Sequence, residues 1–217
     1  MKNIKCILFD LDGTLADTSK DMCNALNSVL ISNKFKSVDC KELKTHISKG
    51  AIGVIEYASI VNGRPIDSSL LRAEFLQEYS NNCFEHTKLV DGMRKLIDHI
   101  KERSMTWGIV TNKHSKFVRK ILKGLELDKE INCLITGDMV NEPKPNPEGL
   151  IEASKIIGVN RDECIYVGDD ERDIIAGKRA GMLTVAADFG FIHKDHVTEL
   201  WQADKIIKNP SELINLF

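Results

Sequence analysis

The chain has 217 residues, with 30 Lys plus Arg against 32 Asp plus Glu, a formal net charge of −2 and 42% apolar residues. That composition supports a full hydrophobic core, and the near-neutral balance leaves no electrostatic footprint for a nucleic-acid partner. No run of about 18 apolar residues occurs, so no membrane-spanning helix is expected. The length suggests one domain with a sizeable insertion, or two small domains.

Residues 4–9, apolar but for Lys5, form a run that stops at Asp10. The run is too short for a signal-peptide core, so a cytoplasmic protein is expected. It reads as a strand buried on both faces, as in a parallel sheet. Residues 15–88 carry helical spacing instead, for example Met22, Ala25, Leu26, Val29 and Leu30, then Leu70, Leu71, Phe75, Leu76 and Tyr79. No strand of the parallel-sheet type is expected there, so the stretch reads as an all-helical insertion. Within it, residues 34–49 hold a local excess of positive charge, either a solvated helix face or a cationic lip for an anionic substrate. Beyond it, helical patterns over 92–101, 115–122, 147–157 and 173–180 alternate with apolar strand-like runs over 106–111, 163–167 and 182–187. Such alternation predicts an α/β fold, a Rossmann-like parallel sheet core carrying an inserted all-helical cap.

The six cysteines, Cys6, Cys23, Cys40, Cys83, Cys133 and Cys164, form no Cys-x-x-Cys pair and have no His at zinc-finger spacing. In a chain with this much core they are expected to be reduced, structural thiols.

Chemistry gathers where these strands end. Asp10-Leu11-Asp12-Gly13-Thr14 places two carboxylates at the C-terminal end of the first strand, where open α/β sheets hold their sites. Like charges that close need a cation between them, and Mg²⁺ with oxygen ligands fits. The bland alternative is an ordinary Asp-Gly turn. Gly168-Asp169-Asp170-Glu171-Arg172-Asp173 ends another strand with more acid than a turn requires. There Asp170 can be a capping residue and Asp173 a helix N-terminal acid, which leaves Asp169 as the third metal candidate. Thr111-Asn112-Lys113, and Lys144 bracketed by Pro143 and Pro145, supply a hydroxyl, an amide and two ammonium groups for a phosphate dianion. Lys113 ranks below Lys144 because nothing in the sequence stiffens it.

Asp10-Leu11-Asp12-Gly13-Thr14, Thr111-Asn112, Lys144-Pro145 and Gly168-Asp169-Asp170 with Asp173, in this order, resemble the haloacid dehalogenase-like hydrolase superfamily over nearly the whole chain. The resemblance implies a core of 1–14 and 89–217 with a helical cap of 15–88. It also implies a phosphatase in which Asp10 is the nucleophile and Asp12 the acid–base group. Mg²⁺ would be held by Asp10, Asp169 and the backbone carbonyl of Asp12, with Asp173 orienting its water. Thr111, Asn112, Lys113 and Lys144 would bind phosphoryl oxygens, Thr14 would offer its hydroxyl, and Lys49, Gly50 and His46 would stand near the cap mouth. Asp170 departs from the Ser frequent in this branch.

Trp107-Gly108-Ile109-Val110-Thr111-Asn112-Lys113 and the 168–181 segment resemble the phosphoglycolate phosphatase branch. Ile47-Ser48-Lys49-Gly50-Ala51, residues 74–79 and Phe189-Gly190-Phe191-Ile192-His193 resemble a branch that removes the 6-phosphate of N-acetylmuramic acid. The expected partner is a small phosphorylated metabolite, with no nucleic acid or membrane involved, for a monomer or homodimer. A phosphosugar mutase of the same superfamily keeps all of these residues. A phospho-acceptor signalling domain would not need the insertion, and no Gly-rich nucleotide loop occurs.

Overall fold

The computed structural model of the chain describes residues 4–192 and 197–217. In chain order its strands are β1 (Cys6–Phe9), β2 (Ala16–Asp17), β3 (Lys88–Leu89), β4 (Thr106–Val110), β5 (Cys133–Ile135), β6 (Cys164–Gly168), β7 (Leu183–Ala187) and β8 (Lys205–Ile207). The helices are α1 (Ser19–Ser32), α2 (Cys40–Leu43), α3 (Gly50–Asn62), α4 (Ser68–Asn82), α5 (Met93–Glu102), α6 (Ser115–Gly124), α7 (Glu148–Ile157) and α8 (Glu171–Ala180). Six strands make one sheet in the order β5-β4-β1-β6-β7-β8, with every neighbouring pair parallel.

β1 shows why the apolar run had to be continuous. Ile7 and Phe9 pack with α5 and α6 through Leu96, Ile97, Val118 and Ile121, all buried. Cys6 and Leu8 pack on the other face with Leu150 and Ala153 of α7 and Ala176 of α8. Helices therefore cover both faces, and each fully buried Ile, Leu or Phe contributes about 1.5–3 kcal/mol. The sequence order reverses at β1, whose neighbours are β4 and β6. Brändén's rule puts a ligand crevice at the C-terminal ends of strands around such a switch point. Asp10, Thr111 and Asp169 are the residues that follow β1, β4 and β6 there.

The insertion has its own core, in which Leu26 and Leu30 of α1 meet Val54 and Ile55 of α3 and Phe75 and Tyr79 of α4. Asp67 starts α4 by accepting from the backbone N–H of Ser69 and Leu70, the usual N-cap arrangement. One departure from the all-helical expectation occurs: β2 and β3 pair antiparallel, Ala16 opposite Leu89 and Asp17 opposite Lys88. This ladder ties the outgoing and returning chain together at the base of the insertion. Asp21, 2% exposed, strengthens the same junction. Its carboxylate accepts from the backbone N–H of Glu85, His86 and Thr87 and from the Thr87 hydroxyl.

The cysteine expectation needs a correction. Cys23 and Cys40 form a disulfide, with Cα atoms 5.5 Å apart and a sequence separation of 17. Cys23 lies on α1 and Cys40 opens α2, and packing of these helices brings the two within bridging range. Cys6, Cys83, Cys133 and Cys164 are free and buried. Among the described residues no helix is long and apolar enough to cross a membrane.

Candidate active site

The turn after β1 builds the first part of the site. Gly13 has φ +84°, and a side chain there would collide with the Asp169 carboxylate, so only glycine lets these two loops close together. Asp10, Asp169 and Asp173 each point one carboxylate oxygen into a common centre, all within 4.8 Å of one another. Asp169 is fixed by the Thr14 hydroxyl at 3.0 Å and by the Phe191 N–H at 2.7 Å. Thr14 is fully buried and its hydroxyl is committed to Asp169. The expectation that Thr14 contacts substrate is therefore corrected to a role in positioning that acid.

Lys144 stands against the cluster with its Nζ 2.8 Å from Asp10 Oδ1 and 2.6 Å from Asp173 Oδ1. Its ammonium also donates to the Tyr166 hydroxyl at 2.8 Å, and that hydroxyl donates to the Val110 carbonyl at 2.8 Å. Asn112 fixes the Lys144 backbone from both sides: its Oδ1 accepts from the Lys144 N–H at 2.9 Å and its Nδ2 donates to the Lys144 carbonyl at 3.0 Å. Asn112 thus spends its amide on the lysine loop, although it also borders the cavity. Thr111 lines the same cavity, and its hydroxyl accepts from the Lys113 N–H at 3.2 Å.

Asp12 belongs to a second, separate pair. Lys113 Nζ donates to both of its oxygens, at 2.9 and 3.1 Å, and the Thr18 hydroxyl donates to one of them. Lys113 also sits 4.7 Å from the centroid of the Tyr79 ring on the cap helix α4. Lys113 is therefore held as firmly as Lys144, which corrects its lower ranking. The Asp12 carboxylate is not part of the three-acid cluster and faces Lys113 instead.

Electrostatics separate the two pairs. Burial pushes the Asp169 carboxyl well above its usual range, and the charges of Asp10 and Asp173 push it further. Burial likewise raises Asp173 to about 6, against the pull of Lys144. With all three acids ionised, one ammonium leaves an excess of two negative charges in an oxygen-only donor set. A hard divalent cation fits that excess and that set.

Asp170 caps α8 by accepting from the Arg172 N–H, in a capping box with Asp173. It also binds the Arg172 guanidinium through both oxygens, at 2.8 and 3.0 Å. Arg172 in turn donates to the Ser48 carbonyl of the insertion. Asp170 is thus a capping residue and the anchor of a strut between sheet and cap. Burial works against its charge, yet Arg172 holds its carboxyl below the usual range.

A cavity of about 240 Å³ opens over these groups, walled by Met22, Ile47, Phe75, Leu76, Tyr79 and Phe117 and bordered by Gly50. Lys49 is exposed and does not border it, because its side chain lies along α3 against Gly53. His46 stacks on Tyr57 at 4.3 Å, away from the cavity lining. His193 falls outside the described residues. Sequence reasoning missed Tyr166, Arg172 and Asp21. Tyr166 passes for an ordinary β-strand apolar residue, and only the tertiary fold brings its hydroxyl to Lys144.

Sheet, switch point and carboxylate-lined cavity under a helical insertion define a capped α/β hydrolase. Residues 7–187 match the family described as haloacid dehalogenase-like hydrolase. The chain belongs to that family. It is 36% identical over 210 residues to the N-acetylmuramic acid 6-phosphate phosphatase of Pseudomonas putida, covering 97% of this chain and 94% of that protein. It is 35% identical over 213 residues to a phosphoglycolate phosphatase of Xanthomonas campestris pv. campestris, covering 98% and 96%. In fold it is similar to the crystal structure of a predicted phosphoglycolate phosphatase from Haemophilus somnus, with a TM-score of 0.89, 22% identity and coverage of 100% and 99%.

Proposed function

We propose that this chain is a Mg²⁺-dependent phosphatase that hydrolyses a small phosphomonoester through a phosphoryl group carried on Asp10. The observation that supports it is the pairing of a three-acid, one-lysine centre at Asp10 with a second acid, Asp12, held apart by its own lysine. The core of 1–14 and 89–217 with a cap of 15–88 is part of this reading. Mg²⁺ bound by Asp10, Asp169 and Asp173 would screen charge so that a carboxylate can meet a phosphate dianion.

This chain's residues do the rest. Lys144, stiffened by Asn112 and Tyr166, orients Asp10 and binds phosphoryl oxygens. An Asp10 oxygen attacks phosphorus, and the bond from phosphorus to the ester oxygen breaks. Asp12 enters this step as the protonated acid and gives its proton to that oxygen, so the alcohol leaves neutral. Asp12 then takes a proton from water as the water attacks phosphorus, and Asp10 leaves as the free carboxylate. Lys113 and Thr18 keep Asp12 aimed at the leaving group. Thr111 and Lys113 contribute donors for phosphoryl oxygens.

Two substrates come from the relatives' names. Residues 107–113 and 168–181 resemble the phosphoglycolate phosphatase branch. The apolar wall of Phe75, Leu76, Tyr79 and Phe117 favours the larger N-acetylmuramic acid 6-phosphate, since a two-carbon acid has almost no apolar surface to bury. Hydrolysis of p-nitrophenyl phosphate tests the reaction class. It should stop in Asp10→Asn and in EDTA, and return on addition of Mg²⁺ to the wild type. Undiminished turnover in either case would overturn the proposal.

A further inference from the structure

The cavity contains more positive charge than its own carboxylates use. Lys113 is paired with Asp12, Lys144 with Asp10 and Asp173, and Arg172 with Asp170. Arg72 and Lys116 also line the cavity, and neither has a carboxylate partner among the described residues. Arg72 is exposed and makes no hydrogen bond or ion pair among the described residues, and Lys116 Nζ lies over the Phe117 ring at 4.7 Å. Guanidinium and ammonium groups at the rim of an apolar cavity are ready-made receptors for a carboxylate.

Their location sets a length scale. Arg72, Phe75, Leu76 and Tyr79 recur at helical spacing on α4 and all face the cavity. Tyr79 marks the catalytic end, because Lys113 lies over its ring and binds Asp12. Arg72 is seven residues earlier, which at 1.5 Å per residue is about 10 Å along the helix axis. Phe75 and Leu76 fill the interval with apolar surface. Lys116, in the first turn of α6, stands across from this stripe, where Phe117 meets Tyr79 with ring centroids 5.1 Å apart.

We propose that Arg72, assisted by Lys116, is the specificity determinant for a second anionic group of the substrate. The substrate class is then a sugar-sized phosphomonoester bearing a carboxylate at the far end from phosphorus, a separation on the order of the 10 Å rise along α4, with an apolar-faced body between. Phosphoglycolate is too short to reach both ends, since one methylene separates its carboxylate from the ester oxygen. The inference rests on the phosphatase reading for the location of the phosphate, and deepens it by naming what the far end of the cavity selects.

The experiment compares N-acetylmuramic acid 6-phosphate with N-acetylglucosamine 6-phosphate, the same phosphorylated ring without the lactyl carboxylate. Both are assayed with Mg²⁺ on the wild type, Arg72→Ala, Arg72→Lys and Lys116→Ala. The wild type should favour the carboxylated sugar through KM. Arg72→Ala should raise that KM by about 10- to 100-fold, the loss expected for one charge-assisted contact, with kcat unchanged. Arg72→Lys should recover part of the loss, and Lys116→Ala should show a smaller one. N-acetylglucosamine 6-phosphate and phosphoglycolate kinetics should not respond to Arg72→Ala. Equal use of the two sugars by the wild type, or equal losses on both in Arg72→Ala, would overturn the inference. If the wild type hydrolyses no phosphomonoester, the phosphatase reading fails by itself. Calorimetric binding of the two sugar phosphates then judges the subsite: carboxylate-dependent affinity lost in Arg72→Ala supports it, and equal affinities reject it.

Discussion

Asp21→Asn tests how the cap is fastened to the sheet. The Asp21 carboxylate takes the backbone N–H of Glu85 at 3.1 Å and of Thr87 at 2.9 Å, plus the Thr87 hydroxyl at 2.8 Å, on Oδ2. Oδ1 takes the His86 N–H at 2.9 Å and faces His86 Nδ1 at 3.0 Å. An asparagine in its best orientation keeps the first set as neutral bonds and turns an NH₂ toward the His86 N–H. Bonds to a charged group contribute about 1.5–3 kcal/mol and neutral ones about 1, while an orphaned donor costs about 1–3. Water reaches His86, whose side chain is 50% exposed, so a net loss of about 3 kcal/mol is expected. For a chain of this length that is a fall in Tm of about 6–12 °C.

The pH dependence has a definite sign. Burial raises the Asp21 carboxyl, but its bonds from Thr87 and His86 overcome this and hold it below the ordinary value. The wild-type advantage is therefore complete above the unfolded value of about 4 and is lost as pH falls through the folded one. Urea titrations followed by circular dichroism, at pH 7 and at pH values descending below 4, give the gap directly. A gap under about 1 kcal/mol at pH 7, against the roughly 3 expected, or one that widens on acidification, would refute the reasoning.

Lys144→Met should reduce kcat on p-nitrophenyl phosphate by on the order of 10²–10³, as removal of a preorganised charge at the reacting group does; a loss under tenfold would move the role elsewhere. Tyr79→Phe should leave the denaturation midpoint unchanged or higher, because among the described residues the buried Tyr79 hydroxyl has no hydrogen-bond partner. Tyr79→Ala should cost about 3–5 kcal/mol, and urea unfolding distinguishes the two. Reduction of the Cys23–Cys40 disulfide, which closes a sequence separation of 17, should lower stability by about 3 kcal/mol. Thermal melts with and without reductant check this, with the Cys23→Ser/Cys40→Ser double variant as the insensitive control.

The strands that position the site were legible because they are apolar on both faces and end in chemistry: β1, β4, β6 and β7 all stand where their apolar runs predict. β5 and β8 were not read. Each is three residues long at a sheet edge, too short for a period to show. α8 begins at Glu171, two residues before the expected start, because Asp170 and Asp173 close a capping box over it. The acids of the site were visible as local excesses of charge, whereas their partners were not. Lys113 gains its rigidity from Asp12, 101 positions away, and Tyr166 meets Lys144 across the top of the sheet. Cys23 and Cys40 lie at no motif spacing, and only the packing of α1 on α2 makes them neighbours. Arg172 looks like a helix-surface residue until the insertion folds over it and presents the Ser48 carbonyl.

The central claim is that phosphorus is transferred to Asp10 and then released by a base at Asp12. Asp12→Asn with p-nitrophenyl phosphate separates the two steps, since this leaving group needs no proton. Rapid mixing with Mg²⁺ should give a burst of p-nitrophenol equal to the enzyme present, followed by slow turnover. Mass spectrometry of the quenched protein should find a hydroxylamine-labile phosphoryl group on the peptide containing Asp10. Turnover with no burst and no adduct, or an adduct on any other residue, would contradict the account.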